Sequence, residues 1–245
     1  MRKAMIFAAG LGTRLRPLTD QKPKALVEVR GKTLLEIAIK KLIHFGFEEI
    51  VINVHHFALH IKDFLAEKNH FGIQIHISDE SDLLLDTGGG LKKAKEFLSG
   101  NEPFILYNVD ELTNIDLSAL YNFHLKNPPL ATLAVLSRYS DRQLFFDSEG
   151  ELCEWKNHKS GERKIVKNRT NLQAFSFSGI HVVSPKIFEK ITEDSVFSIL
   201  DVYLRLAKEH SIQSYCHNGD LWMDVGKPEN ITLANSEDEW LKTIY

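Results

Sequence analysis

Residues 3–17 read KAMIFAAGLGTRLRP, a short apolar run that passes directly into two glycines and then two arginines. The run KAMIFAA at 3–9 predicts a buried strand, because it is brief, apolar and bounded by glycine. Gly10 and Gly12 allow the backbone to pass close to a ligand, and successive N–H groups in such a turn can hold an anion. The segment therefore predicts a strand whose carboxyl end carries an anion-binding loop.

The rest of the first half repeats this alternation of strand and helix. Apolar residues at helical spacing run from Thr33 to Phe45 and stop at Gly46, and EIVINV at 49–54 predicts the next strand. Strands that alternate with amphipathic helices indicate βαβ units. We therefore predict an α/β fold with a doubly wound and mostly parallel sheet.

The pattern changes after about Leu130. Residues 143–155, QLFFDSEGELCEW, predict two short strands joined by a turn, and a polar stretch follows at 156–169. A closing helix is predicted from Pro228 to Leu241. We therefore expect a small antiparallel insertion within one domain that spans the chain.

Composition is that of an ordinary globular protein. The 245 residues are 43% hydrophobic and 26% charged, with a net charge of -3, so nothing indicates nucleic acid as a partner. Cys153 and Cys216 form no CxxC pair, and no stretch approaches the ~18 apolar residues of a membrane span. The apolar run near the N-terminus is interrupted by glycines and arginines, so it does not have the pattern of a signal peptide. These features predict a cytoplasmic protein without a membrane partner, and they leave a homo-oligomer open.

Two common phosphate motifs are absent from the glycine loop. A P-loop requires GxxxxGK[ST], and the dinucleotide fingerprint fails because Leu15 stands where its third glycine belongs. An NAD-binding oxidoreductase is therefore disfavoured. A tight turn with solvated arginines would explain the GxG alone, but Lys24 in KPKAL adds a compact charge suited to phosphate.

The two segments AAGLGTRLRPLT at 8–19 and KPKALVEV at 22–29 resemble the signature of the sugar-1-phosphate nucleotidyltransferases. The resemblance implies a Rossmann-like mixed α/β sheet. It also implies a reaction in which a nucleoside triphosphate and a sugar 1-phosphate give an NDP-sugar and pyrophosphate. It also implies that the loop holds the triphosphate and that the lysine neutralises the α-phosphate. The residues to which it gives these roles are Ala9, Gly10, Gly12 and Thr13 at the nucleotide, with Arg14 and Lys24 as the catalytic cations.

Two aspartates stand in positions suited to a metal. Asp110 follows a predicted strand at 103–107, and ligands in open α/β sheets bind outside the carboxyl ends of strands. Asp224 lies in WMDVG; taken singly, either aspartate could merely cap a turn. The resemblance implies that both bind Mg²⁺, which proteins hold with one or two carboxylates plus substrate phosphates. Val109 stands where the family has glycine. Glu111 is either a further metal ligand or a solvated charge, and we favour the solvated charge.

A second glycine run, LDTGGGL at 85–91, suits either a flexible loop or the close approach of a flat ligand. The resemblance places the nucleotide, and its base in particular, against such a loop. It also places the sugar near the SGI and EWKN segments, although EWKN at 154–157 departs from the family pattern. The residues so implicated are Thr87, Gly88, Gly89 and Asn108 at the nucleotide, with Lys156 and Gly179 at the sugar.

The resemblance implies a Mg²⁺-assisted uridylyltransferase or guanylyltransferase of the mannose 1-phosphate or N-acetylmuramate 1-phosphate type. The alternative is a nucleotide-sugar-binding regulatory protein that has lost activity, which the valine and the altered EWKN element would favour. The implied division is a nucleotide-binding half at about 1–136, a sugar-binding lobe at about 137–180 and a metal-ligand segment at about 181–245.

Overall fold

A computed structural model describes residues 1–126 and 128–236 of the chain. The strands are β1 (Arg2–Phe7), β2 (Glu28–Val29), β3 (Lys32–Thr33), β4 (Phe47–Val54), β5 (Gln74–Asp79), β6 (Phe104–Asn108), β7 (Glu111–Thr113), β8 (Ala131–Leu136), β9 (Arg142–Phe146), β10 (Leu152–Asn157), β11 (Arg163–Ile165), β12 (Gln173–Val183), β13 (Ile212–Cys216) and β14 (Trp222–Asp224). The helices are α1 (Leu34–His44), α2 (Ala58–Glu67), α3 (Asp86–Lys93), α4 (Lys95–Leu98), α5 (Leu117–Lys126), α6 (Ile199–Leu206) and α7 (Pro228–Ser236).

Ten strands form one mixed sheet in the order β11-β10-β9-β12-β6-β1-β4-β5, with β8 beside β12 and β13 beside β8. The strands β6, β1, β4 and β5 are mutually parallel, whereas β12 runs antiparallel to β6. Strands β9, β10 and β11 extend the sheet in antiparallel fashion. The predicted α/β fold with an antiparallel insertion is confirmed, and the polar stretch 156–169 also contributes a short strand.

The parallel strands are buried on both faces. Ile6 and Ile52 belong to one hydrophobic core, while their neighbours Met5 and Val51 belong to a second core on the opposite face. Alternate residues of a strand point to opposite faces, so a strand covered on both sides reads as a continuous apolar run. Because both faces of these strands are apolar, the loops at the strand ends are where polar side chains can come together.

Helix boundaries follow local signals. Thr33 caps α1 by accepting a hydrogen bond from the backbone N–H of Glu36 at 3.1 Å, as in a capping box. The predicted closing helix is observed over Pro228–Ser236, and residues 237–241 lie outside the described chain.

Across residues 1–126 and 128–236, no helix is both long enough and apolar enough to cross a membrane.

Lys41 on α1 is only 2% exposed, and burial lowers its pKa to about 8 against the opposing charges of Asp220 and Asp116. The folded state thus binds fewer protons than the unfolded chain between pH 8 and 10.5, so stability rises with pH in that window. Lys41→Met is expected to raise the free energy of unfolding at pH 7 by about 2–3 kcal/mol. The gain should shrink towards pH 10.5 in urea titrations, and Lys208→Met, an exposed control, should show no such pH dependence.

Candidate active site

The loops that follow β1 and β6 lie side by side at the carboxyl edge of the parallel sheet. The N–H of Val109 donates to the carbonyl of Phe7 at 3.3 Å, which places Asp110 beside the glycine loop. Lys24 starts a short 3₁₀ turn below that loop, and its Nζ forms a direct ion pair with Oδ2 of Asp110. Sheet order therefore brings the predicted catalytic lysine to the predicted metal carboxylate.

Strands β7 and β14 bring the second aspartate to the same place. They pair antiparallel, with Asp224 opposite Glu111, and the N–H of Val225 donates to the carbonyl of Asp110 at 2.9 Å. Thr113 Oγ1 also donates to the carbonyl of Leu221 at 2.7 Å. This small sheet joins the C-terminal segment to the end of β6.

Both carboxylates converge on Gly226. A Cβ added at Gly226 would lie 2.7 Å from Oδ1 of Asp224, 3.1 Å from Oδ2 of Asp110 and 2.7 Å from Nη2 of Arg14. Arg14 Nη1 is 3.9 Å from Oδ2 of Asp224. Glycine is thus required where two carboxylates and a guanidinium crowd against the backbone.

The two aspartates lie close enough to repel each other when both are ionised. Burial, and then the neighbouring charge of Asp110, raise the pKa of Asp224, because two carboxylates so close resist ionising together. A divalent cation would relieve that repulsion. Among the described residues, no cluster of three or more His, Cys, Asp or Glu side chains could hold a metal. A metal at the two aspartates would therefore take further ligands from phosphate and water.

Glu111 is buried beside these aspartates, so its interpretation as a solvated charge is wrong. Its side chain is hydrogen-bonded to Asn108, and its Oε2 has no hydrogen-bond partner among the described residues. Burial, and then Asp110 and Asp224, raise the pKa of Glu111 well above its usual value. The error arose because a charged residue after a strand is most often exposed, whereas here the pairing of β7 with β14 covers it.

Gly179 and Val109 complete the floor of the site. Gly179 has a φ of +74°, and a Cβ there would lie 2.4 Å from Oε1 of Glu111 and 2.6 Å from Nδ2 of Asn108. Val109 is 3% exposed and packs into the hydrophobic core while also lining the adjacent cavity. Valine in place of glycine therefore leaves Asp110 at the sheet edge with its lysine partner.

A cavity of about 400 Å³ opens next to Lys24 and Asp110. Four of the residues predicted to bind nucleotide line it: Ala9, Gly10, Thr87 and Asn108. Its floor includes the side chains of Asn53 and Glu80, which hydrogen-bond to each other at 2.7 Å. The cavity therefore offers apolar walls with a few fixed polar groups, as small-molecule sites commonly do.

Gly12 and Thr13 lie outside this cavity, in the loop that supports it. Gly12 has a φ of +64°, and a Cβ there would lie 3.0 Å from Cβ of Lys24. Thr13 is exposed at the start of the 3₁₀ turn that carries Arg14. Direct contact of either residue with a nucleotide stays a prediction.

The second glycine run packs against protein. Gly88 and Gly89 both donate their backbone N–H to the carbonyl of Phe197, at 2.9 and 3.2 Å. A Cβ on Gly88 would lie 2.4 Å from the ring of Phe197, and one on Gly89 would lie 2.6 Å from the carbonyl of Ser195. The flat group that approaches Gly88 is thus a phenylalanine ring, and Gly89 is approached by the backbone of Ser195. Contact of either glycine with a base stays a prediction.

Gly88→Ala is expected to lower the free energy of unfolding by about 1–3 kcal/mol, because the new methyl group overpacks against Phe197. Urea denaturation measures the loss. Gly219→Ala is the control, since a Cβ there meets no atom within 4 Å and its φ is not positive. Adding Phe197→Leu to Gly88→Ala should recover part of the loss, and no recovery would contradict this account.

Lys156 is half-buried in β10 and is absent from the residues that line the cavities around the aspartates. Its contact with the sugar stays a prediction. A Ser178–His217–Asp220 array, unsuspected from sequence, directly precedes Gly179: Ser178 Oγ is 2.7 Å from Nε2 of His217, and His217 Nδ1 is 3.4 Å from Oδ2 of the partly exposed Asp220. Ser178 is fully buried, so the array supports the turn before Gly179 and cannot attack a substrate.

Known proteins share this sequence and fold. Residues 3–144 match the family model described as nucleotidyl transferase, so the chain belongs to the nucleotidyl transferase family. It is 32% identical over 231 residues to N-acetylmuramate alpha-1-phosphate uridylyltransferase of Caulobacter vibrioides, covering 92% of each chain. It is 33% identical to the Neisseria meningitidis protein of the same name, covering 91% of this chain and 93% of the relative. The inositol-1-phosphate CTP transferase of T. maritima has the same fold, with a TM-score of 0.78 at 18% identity, over 100% of this chain and 96% of that one.

Proposed function

We propose that the protein is a sugar-1-phosphate nucleotidyltransferase, which makes an NDP-sugar and pyrophosphate from a nucleoside triphosphate and a sugar 1-phosphate. The observation that carries the proposal is the convergence of Asp110 and Asp224 at Gly226, with Lys24 and Arg14 in contact with them. Lys24 and Asp110 line one cavity, and Arg14 and Asp224 line the adjacent one. Two carboxylates and two cations in this arrangement fit phosphoryl chemistry better than acid–base chemistry.

The reaction needs no general base. A phosphate monoester has a second pKa near ~6, so the sugar phosphate is largely dianionic at neutral pH. One of its oxygens attacks the α-phosphorus, the bond from that phosphorus to the bridging oxygen breaks, and pyrophosphate leaves. Lys24 and Arg14 lie where they would neutralise the charge that develops on the phosphates.

We further propose Mg²⁺ as the cofactor, held by Asp110 and Asp224. The paired carboxylates, with the raised pKa of Asp224, form a donor set that suits a hard divalent cation. When bound, Mg²⁺ supplies positive charge that polarises the α-phosphate. Lys24, now paired with Asp110, would then be released towards the phosphate.

The nucleotide and the sugar are the finer part of the proposal. UTP or GTP, with N-acetylmuramate 1-phosphate or mannose 1-phosphate, are the substrates to test first; the similar uridylyltransferases from Caulobacter and Neisseria support UTP. We also propose that residues of about 1–136 bind nucleotide, that the lobe at about 137–180 binds sugar and that the segment at about 181–245 supplies Asp224.

The test is pyrophosphate release with Mg²⁺, in which four common nucleoside triphosphates are screened against glucose, mannose and N-acetylmuramate 1-phosphates. Release that requires one nucleotide and one sugar phosphate together is the expected result. Folded protein that binds a nucleotide but releases no pyrophosphate with any acceptor would contradict the proposal.

A further inference from the structure

A second and larger cavity, of about 850 Å³, lies on the other side of Asp224 and carries more cations than carboxylates. One wall comes from the glycine loop and the C-terminal segment, and the other comes from the lobe that begins after β8. The cationic residues that line it are Arg14, Arg138, Arg142, Lys159 and Lys227, against the carboxylates of Asp141 and Asp224. Such a cavity suits an anionic ligand.

Arg138 is the most firmly held of these cations. Its guanidinium lies over the ring of Trp222, 4.0 Å from the centroid, and Trp222 Nε1 donates to the carbonyl of Ser178 at 3.0 Å. Its backbone carbonyl accepts hydrogen bonds from Gln143 Nε2 at 3.1 Å and from Ser176 Oγ at 2.8 Å. Stacking and backbone contacts therefore fix the guanidinium in the absence of a ligand.

The Nε of this guanidinium nevertheless lacks an acceptor among the described residues. Its Nε is buried and has no hydrogen-bond partner in residues 1–126 and 128–236, and no carboxylate of that part of the chain forms an ion pair with it. Burial lowers the pKa of Arg138, while the charges of Glu111 and Asp224 raise it. A buried donor left unsatisfied is costly, so its position beside the metal carboxylate points to an anion supplied by substrate.

The position of Arg138 indicates which anion. The triphosphate is assigned to Lys24 and the glycine loop, and Lys24 and Gly10 line the smaller cavity. Arg138 instead lines the larger cavity together with Asp224, on the side of the lobe. Lys156, predicted to contact the sugar side, does not line this cavity. A planar guanidinium can bind two oxygens of one phosphate at once.

We propose that Arg138, stacked on Trp222, binds the phosphate of the acceptor sugar 1-phosphate and presents it to the α-phosphorus. The inference rests on the proposed function. Arg138 then determines affinity for the acceptor, and the nucleotide is held by other residues.

The test compares Arg138→Gln with wild type in pyrophosphate release and in calorimetric binding of the same three sugar 1-phosphates. The KM for the acceptor is expected to rise about 10- to 100-fold, as for loss of one charge-assisted contact, with the KM for the nucleotide within twofold. Arg138→Lys should retain part of the affinity. Arg169→Gln, an exposed arginine of the lobe outside the cavity, should change neither KM.

Chemical rescue distinguishes phosphate binding by Arg138 from a merely structural role. Guanidinium added to Arg138→Ala should restore turnover at low acceptor concentration, which a packing defect would not allow. Equal rises in both KM values, a rise for the nucleotide alone, or acceptor binding that depends on Lys156 and not on Arg138 would overturn the inference. Wild type that binds a sugar 1-phosphate through Arg138 but releases no pyrophosphate would contradict the proposed function, and only the binding of the sugar phosphate by Arg138 would remain.

Discussion

Asp110→Asn is expected to lower kcat by roughly 10²–10³-fold, because at the proposed Mg²⁺ site it removes a charged ligand from a metal worth several kcal/mol to the transition state. The neutral amide has nearly the same shape, so the backbone bond from Val225 to the carbonyl of residue 110 is kept. The measurement is pyrophosphate release at saturating substrates over a range of Mg²⁺ concentrations. The concentration of Mg²⁺ needed for half-maximal rate should also rise.

The matched control is Asp63→Asn, an exposed aspartate on α2 far from the sheet edge, which should leave kcat and Mg²⁺ dependence unchanged. Far-UV circular dichroism and thermal unfolding establish that both variants fold. A folded Asp110→Asn variant with full turnover and unchanged Mg²⁺ dependence would remove Asp110 from the metal site.

The long parallel strands of the central sheet could be predicted because each carries its own signal. KAMIFAA and EIVINV are apolar runs bounded by glycine or polar residues, and both became strands buried on two faces. The glycine loop follows from the same reasoning, since only a backbone that must turn sharply uses glycine so densely. The strand, the loop and the cation at Lys24 could therefore be predicted from local sequence.

The meeting of the two aspartates could not be derived in this way. It depends on β7 and β14, which have three residues each and are joined by contacts such as that between Thr113 and Leu221, 108 positions apart. Three residues carry no measurable periodicity, so pairing at that separation is invisible to pattern analysis. Only the family resemblance supplied it, and the burial of Glu111 was missed for the same reason.

For the glycines at 88–89, the sequence predicts a close approach to the backbone but does not identify the group that approaches. Sequence indicates that something flat approaches the backbone, and the approach is observed, but the flat group includes the ring of Phe197. A glycine in a sequence indicates that another group approaches the backbone closely, but it does not indicate whether that group belongs to a ligand or to the protein. Arg138 had no sequence signal at all, because its significance lies in stacking on Trp222 across the fold.

Lys24→Ala is expected to reduce kcat by about 10²-fold or more, with a smaller effect on the KM for the nucleotide, if its charge acts mainly in the transition state. The lysine Cβ, which packs near Gly12, is preserved in alanine, so the loop keeps its conformation. Lys22→Ala is the matched control from the same loop. Its Nζ is 3.9 Å from Oε1 of Glu28, and turnover should stay within about twofold.

The pairing of Lys24 with Asp110 makes the double variant informative. If both residues stabilise the same developing charge, Lys24→Ala combined with Asp110→Asn should lose much less than the product of the two single losses. Independent, multiplicative losses would mean that the two act at separate points of the reaction. Near-wild-type turnover of folded Lys24→Ala would show that the lysine only pairs with Asp110 and takes no part in catalysis. Arg14 would then be the cation that contacts the phosphates.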